Sequence, residues 1–289
     1  MRNQVLDGIR FTVAGDAEPA LLFAHGFSCS AADWGNQFAA LSERYRCVAL
    51  DLPGHGESAV VPAPIIPGLA AAINRVKAHL GLRQLILIGH SLGTKVVREA
   101  LRQFREGVIG VVFVDGSMNI GNAEQQRAKA RAAIRKDGFA DFAAAHFREM
   151  FVATSDPALV ASVAAGAAGA IDPAFAEALY VEASGWDSDH GLDQLRQVGV
   201  PTLVLQSSYY NIDLKRVPLT PDITTPLMAA VQAEIKDHEI KVIEGVGHFT
   251  MLEAPEAVSA VIDAFAKRLT GRWASLQGEN VQAPRLSSK

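Results

Sequence analysis

Apolar residues follow two patterns along the chain, and these patterns alternate. Uninterrupted apolar runs at residues 20–24, 85–88 and 108–114 have no helical period and predict buried strands. Between them, residues 69–80 and 92–104 read as helices, the first of which ends at a glycine. Strands that alternate with helices are typical of parallel sheets with crossover connections. The first half therefore predicts an α/β fold with a doubly wound, mostly parallel sheet.

The pattern changes after the predicted strand that ends before Asp115. Alanine-rich helical segments follow at residues 123–136, 139–151, 156–168 and 173–183, with no strand-like run among them. Strand-like runs return at 201–205 and 240–243, and a last helix is predicted to run to Leu269. Residues 60–67 contain three prolines and predict a surface loop.

These patterns divide the chain into three parts. Residues 1–115 and 196–270 are predicted to form the core, and residues 116–195 a helical cap inserted after the strand ending at Asp115. Residues 271–289 are polar with little periodicity and predict a C-terminal tail. The bulky side chains of the cap are expected mainly to pack its helices together, so the sequence assigns no substrate-binding residue.

Composition and charge narrow the function classes. The 289 residues are 49% hydrophobic and 20% charged, with a formal net charge of −4. The basic residues form no stripe, which argues against nucleic acid or an anionic membrane as partner and favours a small-molecule substrate. No apolar run has signal-peptide or membrane-spanning length, so a cytoplasmic location is expected. The sequence leaves a homo-oligomer open.

Metal and redox chemistry find little support in the sequence. Cys29 and Cys47 have neither metal-ligand nor redox spacing, and we expect two reduced, buried thiols. Four of the histidines, which are His79, His146, His190 and His238, form no ligand spacing either. We therefore expect no metal and no cofactor.

Ser91 lies at the centre of the pattern most suggestive of chemistry. The sequence Gly89-His90-Ser91-Leu92-Gly93 joins a predicted strand to a predicted helix, and glycines at both flanks suit a very tight turn. Such a turn holds a serine hydroxyl at the carboxyl edge of the sheet. A serine nucleophile needs a base, an acid that orients the base, and two oxyanion donors. The alternative is that Ser91 only caps the following helix.

The order of several motifs resembles that of the α/β-hydrolase family, in its serine-nucleophile branch with a helical cap. A strand ends in His25-Gly26-Phe27, Trp34 follows, a second strand ends in Asp51-Leu52-Pro53-Gly54-His55-Gly56-Glu57-Ser58, and then comes the serine turn. The resemblance implies that the backbone N–H groups of Phe27 and Leu92 form the oxyanion hole. It also implies that His248, on a glycine-rich loop after the last strand, is the base. His25, His55 and Asp51 are expected to hold loops.

The acid of the implied triad has more than one candidate. Many relatives place it in a Gly-x-x-Asp turn after the strand that follows the cap, but this chain has no carboxylate there until Asp213. Other branches, haloalkane dehalogenases among them, place it where Asp115 ends its strand. We predict Asp115, with Asp213 next, followed by the group Trp186-Asp187-Ser188-Asp189. Asp115 could instead cap the first turn of the helical cap.

The function implied by these residues is hydrolysis of a small, largely uncharged carboxylic ester or lactone through an acyl-enzyme. Ser91, His248 and Asp115 would form the triad. The same scaffold also carries cofactor-free dioxygenases, C–C bond hydrolases and ligand receptors with vestigial hydrolysis, so these remain alternatives. Fold alone does not decide among them.

Overall fold

The structure is a computed structural model that describes residues 1–63, 65–167 and 169–281. Within those residues, eight strands form one sheet in the order β1-β2-β4-β3-β5-β6-β7-β10. The first two strands are antiparallel to their neighbours, and the other pairs are parallel. The strands are β1 (Arg2–Leu6), β2 (Ile9–Ala14), β3 (Ala20–Ala24), β4 (Arg46–Leu50), β5 (Leu85–His90), β6 (Val108–Val114), β7 (Thr202–Gln206), β8 (Ser208–Tyr210), β9 (Arg216–Pro218) and β10 (His238–Val242). Strands β8 and β9 pair with each other in a separate antiparallel sheet.

The centre of the sheet is formed by the uninterrupted apolar runs. Every residue of β3 and of β5 is buried, because helices cover both faces of a parallel sheet and leave no solvent-facing side. β5 lies between β3 and β6, so its carboxyl end, where Ser91 follows, lies in the middle of the sheet edge. The predicted doubly wound α/β core with its mostly parallel sheet is confirmed.

Helices account for most of the rest of the described chain. They are α1 (Gly35–Leu41), α2 (Ile65–His79), α3 (Leu92–Gln103), α4 (Ala123–Asp137), α5 (Phe139–Arg148), α6 (Pro157–Ala167), α7 (Pro173–Trp186), α8 (Leu192–Arg196), α9 (Pro226–Glu234), α10 (Thr250–Glu253) and α11 (Pro255–Val281). Helices α4 to α8 separate β6 from β7, and we call this segment the helical insertion. None of the helices described combines the length and apolar character that crossing a membrane requires.

Two carboxylates of the insertion bind core helices. Asp187, buried just after α7, forms ion pairs with Lys95 and Arg98 of α3. Burial alone would raise the pKa of Asp187, but the two cations outweigh it and lower that pKa. Glu182 of α7 accepts the first two N–H groups of α2, those of Ile65 and Ile66, at 2.9 and 2.7 Å. Each carboxylate thus links the insertion to a helix of the core.

Three local predictions differ from the structure. The loop predicted at 60–67 gives way to α2 at Ile65, since a proline such as Pro67 is tolerated in a helix's first turn, where N–H groups lack helical partners. The last helix continues past Leu269 to Val281, because no proline interrupts it there. The predicted tail is therefore helical to Val281, and its remainder, 282–289, lies outside the described residues. Residues 9–13, whose sequence is consistent with an edge strand, lie within β2, but β1 pairs with β2 and forms the sheet edge instead.

Candidate active site

The turn that carries Ser91 has the strained geometry predicted from its glycines. Ser91 has φ 52° and ψ −114°, a left-handed conformation that an L-residue adopts at a cost. A Cβ on Gly89 would collide with the carbonyl oxygen of Gly93, and one on Gly93 with that of Ala24. Both glycines are thus required by backbone contacts, and they allow β5 to turn directly into α3.

The hydroxyl of Ser91 does not cap the helix that follows it. Ser91 is the N-cap residue of α3, yet its side chain accepts no hydrogen bond from that helix. Thr94 Oγ1 instead donates to the main-chain oxygen of Ser91 at 2.7 Å. The capping role that the sequence left open is therefore not observed, and the Ser91 side chain lines a cavity.

Buried histidines hold the loop that follows β3, as the sequence predicted. His25 Nε2 accepts the N–H of Leu52 at 2.9 Å, and His55 Nε2 accepts the N–H of Ser28 at 3.2 Å. Burial lowers the pKa of His25 to about 4 and that of His55 to about 3, so both rings are neutral acceptors at pH 7. These bonds fix the backbone on either side of Phe27.

Two backbone donors border the same cavity. Gly26 approaches the serine so closely that a Cβ there would lie 3.3 Å from Cβ of Ser91. The next residue, Phe27, and Leu92 both line the cavity with Ser91. Throughout the described chain, neither the N–H of Phe27 nor that of Leu92 donates to a protein acceptor. Such N–H groups are available to an oxygen that develops negative charge.

His248 lies in this cavity on a loop tied down from two sides. Its N–H donates to the main-chain oxygen of Met150, two residues after α5, at 2.8 Å. Its own main-chain oxygen accepts from His90 Nε2 at 2.9 Å. Burial, and then the positive charge of Arg216, lower the pKa of the His248 ring well below its usual value. The ring is therefore neutral at pH 7 and able to accept a proton.

Asp115 directly follows β6 and is buried, with only 1% of its surface exposed. The N–H of Ser207 donates to its Oδ1 at 2.8 Å, and the hydroxyls of Ser207 and Thr250 also contact the carboxyl group. Ser207 Oγ also donates to the main-chain oxygen of Gly247 at 2.5 Å. Asp115 thus contacts residues near His248 in sequence, but within the described chain it makes no hydrogen bond with the His248 ring.

The environment of Asp115 disfavours its ionised form. Burial raises the pKa of Asp115 to about 8, although the bonds from Ser207 and the charge of Arg216 act in the opposite direction. The role of helix cap that the sequence left open for Asp115 belongs to Asn122, whose side chain accepts the N–H of Gln125 at the start of α4.

The other predicted acids lie elsewhere. Asp213 is exposed in the turn between β8 and β9, where its N–H donates to the side chain of Asn211 at 3.0 Å. Asp187 binds Lys95 and Arg98, and Asp189 binds Arg127. Neither Asp213 nor Asp189 lines the cavity that contains Ser91.

The cavity has a volume of about 310 Å³, near the lower end of the range for small-molecule sites. The core supplies Gly26, Phe27, Cys29, His90, Ser91, Leu92, Lys95, Tyr210, Arg216, His248 and Phe249. The segment between β6 and β7 supplies Ser117, Asn119, His146, Phe147, Met150, Tyr180, Ala183 and Ser184. The insertion therefore forms one wall of the cavity, and some of its bulky side chains do more than pack helices.

Several residues at this site were missed by the sequence analysis. Ser207 and Thr250 carry no motif, although Ser207 directly follows β7 and Thr250 is two positions after His248. Lys95 and Arg216 are far apart in sequence, and only the fold brings both to one cavity. We expected an uncharged substrate because Lys and Arg do not cluster in the sequence. In the structure, two cations line the cavity.

The cysteines and the histidines give no sign of metal chemistry in the part of the chain that is described. Both cysteines are unpaired and buried, and burial raises the pKa of each thiol, to about 12 for Cys47. No group of three or more His, Cys, Asp or Glu side chains among the described residues could hold a metal ion. That the chain needs no cofactor stays a prediction.

The fold agrees with comparisons to known proteins. Residues 21–261 match the model of the alpha/beta hydrolase family. The chain therefore belongs to that family, and it is an enzyme of the hydrolase type.

Particular relatives resemble part of the chain or its fold. A 2-succinyl-6-hydroxy-2,4-cyclohexadiene-1-carboxylate synthase of Salmonella newport (strain SL254) is 38% identical over 119 residues, which are 39% of this chain. The match spans only 44% of that relative's length. Among solved structures, an esterase from Thermogutta terrifontis has a TM-score of 0.72 at 23% identity, covering 90% of this chain and 93% of its own. An enol-lactonase from Burkholderia xenovorans LB400 has a TM-score of 0.74 at 18% identity, covering 92% and 100%.

Proposed function

We propose that this chain is a serine hydrolase that cleaves a small carboxylic ester or lactone through a covalent acyl-enzyme. One observation carries the proposal. Ser91 lies at a strained turn and its side chain does not cap α3; it lines the same cavity as the neutral ring of His248. A hydroxyl and a neutral imidazole in one cavity are the groups that nucleophilic acyl transfer requires. The helical insertion, acting as a cap, would exclude water from the bound substrate.

The reaction divides into two steps. Ser91 Oγ attacks the carbonyl carbon while His248 takes its proton, and the N–H groups of Phe27 and Leu92 stabilise the oxyanion. The C–O bond to the alcohol then breaks, and the alcohol leaves with the proton that His248 returns. In the second step His248 removes a proton from water, which attacks the acyl-enzyme. The bond from the acyl carbon to Ser91 Oγ then breaks, Oγ takes the proton back from His248, and the acid leaves; a lactone yields a single hydroxy acid.

Asp115 is the proposed third member of the triad. Its support is its place at the end of β6 and its contacts with Ser207 and Thr250, which connect it to the loop carrying His248. The positive charge that His248 acquires during attack would favour the ionised carboxylate, against the burial that raises its pKa. In that state Asp115 orients the ring and stabilises the imidazolium.

Covalent labelling tests the nucleophile directly. A fluorophosphonate probe should add one label to the native protein, located by peptide mass spectrometry at Ser91, and none to Ser91→Ala. A panel of p-nitrophenyl esters of increasing chain length, lactones and epoxides would then define the reaction. Multiple-turnover hydrolysis lost in both Ser91→Ala and His248→Ala is the expected result. Labelling that persists in Ser91→Ala would refute the assignment.

The alternative functions on this scaffold predict different experimental results. Cofactor-free oxygen uptake that persists in Ser91→Ala would indicate a dioxygenase. Cleavage of a C–C bond without ester hydrolysis would indicate a C–C hydrolase. Single-turnover hydrolysis with a ligand-induced rise in melting temperature would indicate a receptor.

The partial match to the Salmonella synthases favours a second candidate. At 38% identity over 119 residues, the chain could share the activity in that relative's name, the formation of 2-succinyl-6-hydroxy-2,4-cyclohexadiene-1-carboxylate. Expression of this chain in a bacterial strain lacking the synthase tests it, with the product followed by chromatography. Restored product formation would favour the synthase over the esterase. A cytoplasmic enzyme acting on a small molecule, without nucleic acid or membrane as partner, remains our proposal in either case.

A further inference from the structure

Arg216 brings an unneutralised positive charge to the active-site cavity. It lies in β9, and its guanidinium carbon is 4.3 Å from the ring centre of Tyr210. Its Nη1 donates to Ser208 Oγ at 3.0 Å. Among the described residues, no carboxylate lies within ion-pair distance of this guanidinium, whereas Lys95, the other cation at the cavity, is paired with Asp187.

One edge of this guanidinium lacks strong acceptors. Nε of Arg216 is buried and has no hydrogen-bond partner. Nη2 has only the thioether sulfur of Met150, at 3.6 Å, and thioethers are weak acceptors. The N–H bonds of Nε and Nη2 point the same way, as the two prongs of a fork that matches the two oxygens of a carboxylate. A buried donor without a partner is costly, so this edge is suited to binding an anionic ligand.

The remaining cavity wall is compatible with an anion. No Asp or Glu occurs among the residues that line the described cavity. Lys95 and Arg98 are both buried and both pair with one carboxylate, that of Asp187, so this cluster carries a net positive charge. The lining histidines are His90, His146 and His248, and burial lowers the pKa of each ring, so they add no charge at pH 7. The cavity therefore has positive charge without a negative group of its own.

We propose that Arg216 binds a carboxylate on the substrate through Nε and Nη2, so that the preferred esters or lactones carry a free carboxylate in the acyl portion. This inference rests on the proposed function and names the substrate class of the same site. The carboxylate would neutralise Arg216 and satisfy its buried Nε in one contact. The stack on Tyr210 and the bond to Ser208 hold the guanidinium in place before the ligand arrives, which lowers the ordering cost of binding.

Two esters of similar shape and different charge test the proposal. The probes are mono-p-nitrophenyl adipate, whose acyl chain ends in a carboxylate, and p-nitrophenyl hexanoate, whose chain ends in a methyl group. We expect the native enzyme to have the higher kcat/KM for the adipate. In Arg216→Gln the ratio of the two kcat/KM values, adipate over hexanoate, should fall on the order of 10- to 100-fold, the range for hydrogen bonds to a charged group. Arg216→Lys keeps the charge without the fork and should give an intermediate ratio.

A neighbouring lysine provides the matched control. Lys215 is exposed and precedes Arg216 on the same hairpin, outside the cavity lining, so Lys215→Gln removes one positive charge at nearly the same place. The ratio should not change in Lys215→Gln. An unchanged ratio in Arg216→Gln, or an equal fall in both variants, would overturn the proposal, because the second result would indicate only long-range charge attraction.

Binding measured with Ser91→Ala, which should not hydrolyse esters, separates this inference from the proposed function. Ser91→Ala is titrated with each ester by calorimetry, alone and combined with Arg216→Gln. Tighter binding of the adipate that disappears with Arg216→Gln supports the carboxylate contact even if the native protein hydrolyses neither ester, in which case the proposed function alone fails. Equal affinity for both esters in Ser91→Ala refutes the carboxylate contact even if the native protein hydrolyses both.

Discussion

His90 Nε2 donates a hydrogen bond to the main-chain oxygen of His248 at 2.9 Å. The residue immediately before Ser91 thus holds the backbone of the residue proposed as its base. Because a carbonyl oxygen can only accept, Nε2 of His90 carries the proton, and burial lowers the pKa of this ring to about 4. The end of β5, directly before Ser91, and the loop that carries His248 are therefore joined by a buried contact.

Removal of this contact should impair catalysis. His90→Phe leaves the carbonyl of His248 without its donor, and an unsatisfied buried group costs about 1–3 kcal/mol. The loop that carries His248 should therefore loosen. We expect kcat to fall about 10-fold or more, whereas His90→Gln, which keeps a donor, should lose less. Steady-state ester hydrolysis measures both variants, with circular dichroism to confirm folding. Equal rates in His90→Phe and the native enzyme would contradict a role for the contact.

Asp115→Asn should lower turnover by about three to four orders of magnitude. An amide in place of the carboxylate favours the wrong tautomer of the base and cannot stabilise an imidazolium. Asp213→Asn, in the exposed turn between β8 and β9, should leave turnover within about twofold, since surface changes of this kind have small effects. Ester hydrolysis under saturating substrate measures both. The reverse order of effects would transfer the acid's role to Asp213.

The same substitution should alter the pH dependence of stability. The folded pKa of Asp115, about 8, lies above its unfolded value, so the folded state binds more protons between about pH 4 and 8, and the native protein loses stability there as pH rises. Asp115→Asn removes this titration. Its free energy of unfolding relative to the native protein should therefore rise with pH, by up to about 1.4 kcal/mol per unit. Urea unfolding at pH 5, 6.5 and 8 measures the difference, and a constant difference would contradict the raised pKa.

The acid side of the activity profile should report Asp115 first and His248 at lower pH. Protonation of Asp115, whose pKa is about 8, should already lower kcat/KM for a neutral ester below that pH, and the lowered pKa of His248 means that its ring gains a proton only well below pH 6.5. Arg216→Gln removes a positive charge that disfavours the protonated ring, so the fall caused by His248 should move to higher pH. Profiles of kcat/KM from pH 4 to 8 for both proteins give the two midpoints. A midpoint that moves to lower pH in Arg216→Gln would contradict this electrostatic coupling.

Asp187 should be important for folding stability. Asp187→Asn leaves Lys95 and Arg98 buried near each other without a carboxylate, and breaking a buried ion pair typically costs about 3–5 kcal/mol. Asp189→Asn is the matched control, two residues away, because its ion pair with Arg127 is partly exposed and should contribute at most about 1 kcal/mol. Urea unfolding compares the two variants. Similar small losses in both would mean that the buried cluster relaxes or hydrates when Asp187 is replaced.

The central sheet and two of the proposed catalytic residues follow directly from the sequence. Fully buried strands leave unbroken apolar runs, and the turn at Ser91 needs glycines at fixed positions, so β5 and the tight turn after it could both be predicted. His248 could be predicted because it follows the last strand on a glycine-rich loop. These features depend on neighbours close in sequence.

The parts that sequence did not predict depend on contacts between distant segments. The first turn of α2 is stabilised by Glu182, more than a hundred residues later, so local proline content predicted a loop there. The short strands that carry Arg216 have no long apolar run. Ser207 and Thr250 acquire their importance only from the position of Asp115 between them.

The attachment of the helical insertion limits how this enzyme can be redesigned. Replacing the segment between β6 and β7 with that of a relative would remove Asp187 and Glu182 together, since both belong to this segment. The recipient would keep two buried cations on α3, the helix that begins directly after Ser91, and two uncapped amides on α2. A chimaera that exchanges this segment therefore needs new residues at Lys95 and Arg98 as well, and the exchangeable unit is the insertion together with those two core positions.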